Sequence, residues 1–144
     1  MRIERATAGD VPSVEALLTA AGLPLDGARD ALVACGVVAH DGGSVVGAAA
    51  VERFGSAGLL RSVVVAADHR GTGLGRAVVA AAEAAARADG VTELNLLTET
   101  AAGWFPRLGY EVIDRSVAAE AVGGSIEFTT VCKDTGVPMR RSFA

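Results

Sequence analysis

Three glycines at alternate positions, Gly71, Gly73 and Gly75, come five residues after an apolar β-branched run, Val63-Val64-Val65. An alanine-rich stretch begins at once behind them. Glycine lets backbone N–H groups approach a ligand without Cβ collisions and accepts positive φ. A helix starting there adds unpaired N–H donors and the positive end of its dipole. The chemistry implied is the binding of an anion, best a phosphate ester or diphosphate. Other phosphate loops fit less well. A dinucleotide-binding turn carries Gly-x-Gly-x-x-Gly near the start of a βαβ unit, and a P-loop ends in Gly-Lys-Ser/Thr; this loop holds no lysine. A plain strand–helix turn would need one glycine rather than three.

Arg61 is the second anomaly. In a regular strand Leu59, Arg61, Val63 and Val65 share a face, and an arginine among them is costly unless an anion meets it. Either it clamps a ligand carboxylate or phosphinate, or it pairs with Glu52 or Glu127. Glu52 ends a strand face otherwise made of Val46, Ala48, Ala50 and Phe54. It is the candidate general base, with an ion pair to Arg53 or Arg61 as the plainer reading. Cys35, Cys132, His40 and His69 lack metal-ligand spacing, so no metal is expected, and a buried free cysteine acts as a small hydrophobe. Trp104 reads as a packing residue.

The chain that must position these groups has 144 residues, enough for one domain spanning 1–144 that buries about two-thirds of its unfolded surface. A hydrophobic content of 51% with 21% charged residues describes a packed core rather than disorder. The 13 basic residues are scattered and the net charge is −4, so no basic stripe invites nucleic acid. No apolar run approaches a membrane span and no signal-like segment opens the chain, which makes a cytoplasmic protein the expectation.

Along the chain, Met1–Arg5 reads as a strand, and a helix capped by Asp10 carries Val14, Leu17, Leu18 and Ala21 on one stripe. A second helix is expected over 27–34. Val37–His40 and Ser44–Phe54 form a hairpin about Asp41-Gly42-Gly43, with Val45, Gly47, Ala49, Val51 and Arg53 on one face. Leu59–Val65 completes a meander. A helix to Asp89 buries Leu74, Val78, Val79, Ala82 and Ala85 and turns Arg76 outward. Glu83 and Arg87 point outward too, as an i,i+4 pair. Leu94–Leu97 marks a strand parallel to Leu59–Val65. A short helix over 100–108, strands at 110–117 and 125–132, and a last segment that is either helix or tail complete the reading.

The motif Arg70-x-x-Gly73-x-Gly75 resembles the Arg/Gln-x-x-Gly-x-Gly/Ala signature of the GNAT superfamily of N-acetyltransferases, and the order of elements is similar along essentially the whole chain. The resemblance implies an α/β (α+β) GNAT fold, a mixed central sheet of about seven strands with the fourth and fifth, Leu59–Val65 and Thr92–Leu97, splayed apart and helices flanking it. It implies acetyl-CoA as acyl donor, its pyrophosphate on Arg70, Gly71, Thr72, Gly73, Leu74, Gly75 and Arg76 and its pantetheine along Val63, Val64 and Val65. Thr98 and Phe105 stand where the family has an asparagine and a tyrosine general acid; both are expected at the cofactor. Phenylalanine cannot protonate a thiolate, so water or free thiolate release must serve.

Further pieces are similar to the arsenic-resistance N-acetyltransferases of the arsinothricin/phosphinothricin type: Leu23-Pro24-Leu25-Asp26-Gly27, Glu52 with Gly55, Leu59-Leu60-Arg61-Ser62-Val63, Leu96-Leu97-Thr98-x-Thr100-Ala101, and Glu127-Phe128 with Cys132 and Met139. Lys133 departs from the proline expected after the cysteine. This resemblance implies a small anionic amino acid as acceptor. For such an acceptor the residues themselves offer Arg61 and Ser62 to bind it, Glu52 as base, a strand N–H of Val63 or Val64 to hold the oxyanion, and direct transfer between two bound reactants. The expected partners are a small-molecule amine and a second copy of the chain. A non-catalytic acyl-CoA-binding or regulatory module is the alternative function, and a nucleotide-binding switch a third.

Overall fold

The computed structural model describes residues 1–128 and 136–143. A seven-stranded sheet runs in the order β1-β2-β3-β4-β5-β7-β6. β1 (Arg2–Arg5), β2 (Gly36–Asp41), β3 (Ser44–Phe54) and β4 (Ala57–Val65) are antiparallel neighbours. β5 (Glu93–Thr98) joins β4 in parallel, and β7 (Val137–Ser142) lies antiparallel between β5 and the two-residue β6 (Glu111–Val112). The expected mixed sheet with flanking helices is therefore present.

Helices cover both faces because the strands carry apolar residues on both. α1 (Val11–Ala20) and α2 (Ala28–Cys35) bring Val14, Leu18 and Leu32 against Val38, Ala48, Ala50 and Val64. α3 (Leu74–Ala88) sets Val78, Val79 and Ala82 on Val37, Ala49, Val51 and Leu60. α4 (Arg115–Val122) lays Ala118 and Val122 over Leu59 and Leu97. Each fully buried valine or leucine contributes about 1.5–3 kcal/mol, and the small residues Ala48, Ala49 and Ala50 let helices on both sides approach the middle strand.

Strict alternation breaks twice. Ala39 pairs with Gly47 but His40 with Val45, so Val46 is an extra residue in β3. Val45 consequently packs on the α1–α2 side and Val46 on the α3 side, the reverse of the regular-strand expectation. In β4, Ala48 pairs with Val64 and Ala50 with Arg61, leaving Ser62 and Val63 opposite Ala49 alone. Ser62 sits at φ 56°, the one non-glycine residue with positive φ among the described residues. The bulge turns Val63 and Val65 toward the α3 core while Leu59 stays with α4. The common face expected for Leu59, Arg61, Val63 and Val65 ends there.

Other elements differ from the sequence reading. Glu83 is buried, not outward: Tyr110 Oη donates to it at 2.9 Å and Arg141 Nη1 at 3.0 Å. Both partners come from distant parts of the chain, beyond the reach of helix periodicity. The strand expected over 110–117 stops at Val112, because Asp114 caps α4 and the alanine-rich run after it prefers helix. Between Thr100 and Leu108 the regular structure is a single 3₁₀ turn, Phe105–Leu108, with Pro106 in its first turn. Ser125–Phe128 is not strand, and the rest of the strand expected to Cys132 lies outside the described residues. The closing strand is β7, in the segment read as helix or tail; α2 begins one residue late, behind a left-handed Gly27.

Candidate active site

β4 and β5 are paired only from Ala57 to Leu59 and from Glu93 to Asn95. Beyond that, β5 keeps its partner β7 and β4 keeps β3, so the two parallel strands part. The bulge at Ser62–Val63 adds twist to β4 where it leaves β5. A cleft of about 690 Å³ opens between them, with Leu60–Val65 on one wall and Leu96–Ala101 on the other. Strand backbone that has lost its neighbour on one side is exposed to whatever enters.

At one end of the cleft β4 runs through a 3₁₀ turn, Ala67–His69, into the glycine loop and α3. Gly71 and Gly73 stand at φ 77° and 86°, and a Cβ on either would meet nothing within 4 Å. Left-handed backbone with empty space before it is a cradle for a large anion, and α3 supplies free N–H donors with no acid in its first turn. A Cβ on Gly75 would come within 3.2 Å of Trp104 Cζ2, so the third glycine admits the indole. Trp104 thus both packs and lines the cleft. Arg70 Nε donates to the Val65 carbonyl at 3.2 Å. His69, also in the lining, has Nε2 2.9 Å from Asp41 and Nδ1 2.9 Å from Asp68; these bonds, Asp41's first, raise its proton affinity. With Arg70 and Arg76 it gives this end a positive rim.

The other end is built from side chains. The Arg61 side chain has no exposed surface. Its Nη1 donates to Glu52 Oε1 at 2.8 Å, Nη2 to the Asp26 carbonyl, and Nε lies 3.2 Å from Glu127 Oε2 and 3.4 Å from Ser62 Oγ. Ser125 Oγ donates to the same Glu52 oxygen at 2.7 Å and accepts from the Glu127 N–H at 3.2 Å. Burial pushes the Glu127 carboxyl above its ordinary value; Arg61 opposes this, and Glu52 and Glu99 add to the rise.

Of the residues singled out in the sequence, Arg61, Ser62, Val63, Val64, Val65, Arg70, Gly71, Gly73, Gly75, Arg76, Thr98 and Phe105 all line this cleft. Thr72, Leu74 and Glu52 do not. Leu74 is buried in the α3 core, and Glu52 stands behind Arg61. Thr98 Oγ1 accepts the Ala101 N–H at 2.9 Å and so fixes the turn carrying Trp104 and Phe105. Phe105 lies edge-on between Trp104 and Tyr110. Tyr110 does not take the missing tyrosine's place: its hydroxyl is bound to Glu83 away from the cleft, and burial drives its pKa far up. Glu127, Glu99, His69 and Trp104 are among the lining residues that sequence spacing did not assign to the site. Cys35 is buried at the end of α2, while Cys132 lies outside the described residues. No cluster of three or more His, Cys, Asp or Glu suited to a metal occurs among the described residues, and none of their helices is long and apolar enough to cross a membrane.

Residues 33–112 match the family described as the acetyltransferase (GNAT) domain. The chain belongs to the GNAT acetyltransferase family. Its fold is the GNAT fold, with parallel β4 and β5 parting at the cleft. No curated protein sequence matches it significantly. Among solved structures it is similar to N-acetylglutamate synthase from Neisseria gonorrhoeae in complex with coenzyme A and N-acetyl-glutamate. The TM-score is 0.81 at 18% identity, covering 99% of this chain and 35% of that one. This GNAT domain thus spans about a third of that synthase. It is similar over its full length to a Mycobacterium tuberculosis protein in complex with CoA and NLQ, with TM-score 0.79, 20% identity and 100% of both chains covered. A Staphylococcus aureus GNAT acetyltransferase matches at TM-score 0.81 and 11% identity over 99% of each chain.

Proposed function

We propose that this GNAT protein transfers an acetyl group from acetyl-CoA directly to the nitrogen of a small-molecule amine. One observation carries the reading: the unpaired backbone of β4 runs straight into a left-handed glycine cradle at the N-terminus of α3. Open space at Gly71 and Gly73 leaves room for a diphosphate against main-chain N–H groups. The free edge of Val63–Val65 offers amide partners to an extended pantetheine arm. Solved structures of similar fold are complexes with CoA, which supports CoA as the ligand. The overall change is R–NH₃⁺ plus acetyl-S-CoA to acetamide, HS-CoA and a proton. A nitrogen–carbon bond forms, the carbon–sulfur bond breaks, and the β4 N–H at Val63 or Val64 holds the developing oxyanion. The carboxylates at the acceptor end are Glu127, which lines the cleft, and Glu52, which reaches it only through Arg61; they are the candidates to receive the amine's proton.

A finer reading, an anionic amino-acid acceptor and a part in arsenic resistance, draws on the sequence pieces named above and on N-acetyl-glutamate in the gonococcal complex. It requires Arg61 to leave two carboxylates for the ligand. A non-catalytic acyl-CoA-binding module is the second reading, favoured by Phe105 at the tyrosine position. The two part in one experiment. Protein, acetyl-CoA and a panel of amines are mixed with a thiol reagent while CoA binding is followed through the single Trp104. Amine-dependent thiol release establishes the enzyme; quenching of Trp104 with no release on any amine establishes the binding module.

A further inference from the structure

Resting on the acetyl-transfer reading, we infer that the acceptor is a cationic aliphatic amine carrying no acid group, and that Glu127 is the carboxylate that meets its ammonium. The cations that line the cleft among the described residues divide unequally. His69, Arg70 and Arg76 gather at the glycine loop, and only Arg61 stands at the acceptor end. Each nitrogen of Arg61 already has a partner, Glu52, the Asp26 carbonyl or Glu127, and its side chain is fully buried.

Among the described residues, Glu52, Glu127 and Glu99 stand about the one guanidinium of Arg61, so acids outnumber cations at this end. A ligand carboxylate brought to this end would add a further acid beside Glu127, Glu52 and Glu99, with no second cation among the described residues to receive it. An ammonium supplies the positive charge the cluster lacks. Glu127 is the member placed to meet it, because it lines the cleft and its bond to Arg61 uses Oε2. Glu52 does not line the cleft, and its Oε1 accepts from both Arg61 and Ser125. Leu23 and Pro24 in the lining give the acceptor's carbon chain an apolar seat.

Glu127 then serves twice. It binds R–NH₃⁺ and takes one proton to become a carboxylic acid, leaving R–NH₂ to attack the thioester. As the carbon–sulfur bond breaks, the departing thiolate takes the second proton from nitrogen, and Glu127 returns its own to water. Among the described residues, the charged groups facing Glu127 are Arg61 from β4, Glu52 from β3 and Glu99 after β5. Burial with two neighbouring acids outweighs Arg61 and raises its proton affinity, so the ionised, working form is reached later on a rising pH scale than for an ordinary carboxylate.

The test compares 1,4-diaminobutane, a simple alkylamine, glutamate and phosphinothricin as acceptors for the unmodified chain. The expected result is a kcat/KM for the two acid-free amines at least 100-fold above that for the anionic ones. Glu127→Gln should lower kcat on the diamine by about 100-fold or more and flatten the rising limb of its pH profile, while Trp104 quenching by CoA stays unchanged. A preference for glutamate or phosphinothricin overturns the inference alone. Unaltered kcat in Glu127→Gln overturns it too. Transfer to no amine at all overturns both it and the acetyl-transfer reading. The acceptor panel needs no variant, so the inference is decided even where the substitution disturbs folding.

Discussion

The two ends of the cleft are made of different material. On the proposed reading, the recognising groups at the glycine loop are main-chain N–H donors presented by Gly71, Gly73 and the start of α3, over open space. At the acceptor end they belong to a largely buried charge cluster of side chains, Arg61, Glu52, Glu127 and Ser125, bound to one another. Main-chain recognition suits a donor whose diphosphate is the same in every turnover and tolerates change around it. Side-chain recognition is selective and fragile, since every member is another member's partner.

The largest expected effect lies at the acceptor end. Arg61→Met removes the cation between buried Glu127 and half-buried Glu52 and should destabilise the fold by about 3 kcal/mol, the low end of what breaking a buried pair on one side costs. At roughly 2–4 °C per kcal/mol for a chain of this size, the shift in Tm is readily seen by calorimetry. A loss below 1 kcal/mol would show that the cluster does not hold this end together, and the contrast with the loop would fall.

Next comes Gly73→Ala. Its φ of 86° costs any L-residue about 1–2 kcal/mol, although no atom stands within 4 Å of the new Cβ. CoA affinity, titrated through Trp104, should fall about tenfold while acceptor preference stays as it was. A changed acceptor preference would mean that the two ends are coupled after all. The smallest effect belongs to Ser62→Gly, which relieves positive φ at the bulge and should alter stability by less than about 1 kcal/mol. Acceptor KM sharpens its reading: an unchanged value makes Ser62 a backbone device, and a raised one makes its hydroxyl a ligand contact.

The same contrast decides what could be read beforehand. The cradle was legible because its chemistry is local: a β-branched run, three glycines and a helix occupy fourteen consecutive residues, Val63–Arg76. The sheet as far as β5 was legible from alternation and turns. The partnership of Arg61 with Glu52 and Glu127 joins β3, β4 and a segment beyond α4, and spacing offered it only as one alternative. Glu83 was misjudged for the same reason: Tyr110 and Arg141, which bury it, are 27 and 58 residues away. The bulge at Ser62 hid in a run of strand-forming residues, where nothing marks the switch of faces. Past Leu108 the reading failed most: the helix preference of the alanines in α4 was passed over, and the arginines of β7 carry little local strand signal, so its place is set by packing.

β7 follows β6 and α4 in sequence yet inserts between β5 and β6. During synthesis β1 to β5, with the glycine loop and α3, emerge and can collapse first. β6 has no strand to pair with until β7 slides into the gap beside β5. The wall that carries Glu127 is therefore among the last parts to close, across contacts of long sequence separation, which form slowly. A nascent or partly unfolded chain would grip the donor before it could choose an acceptor.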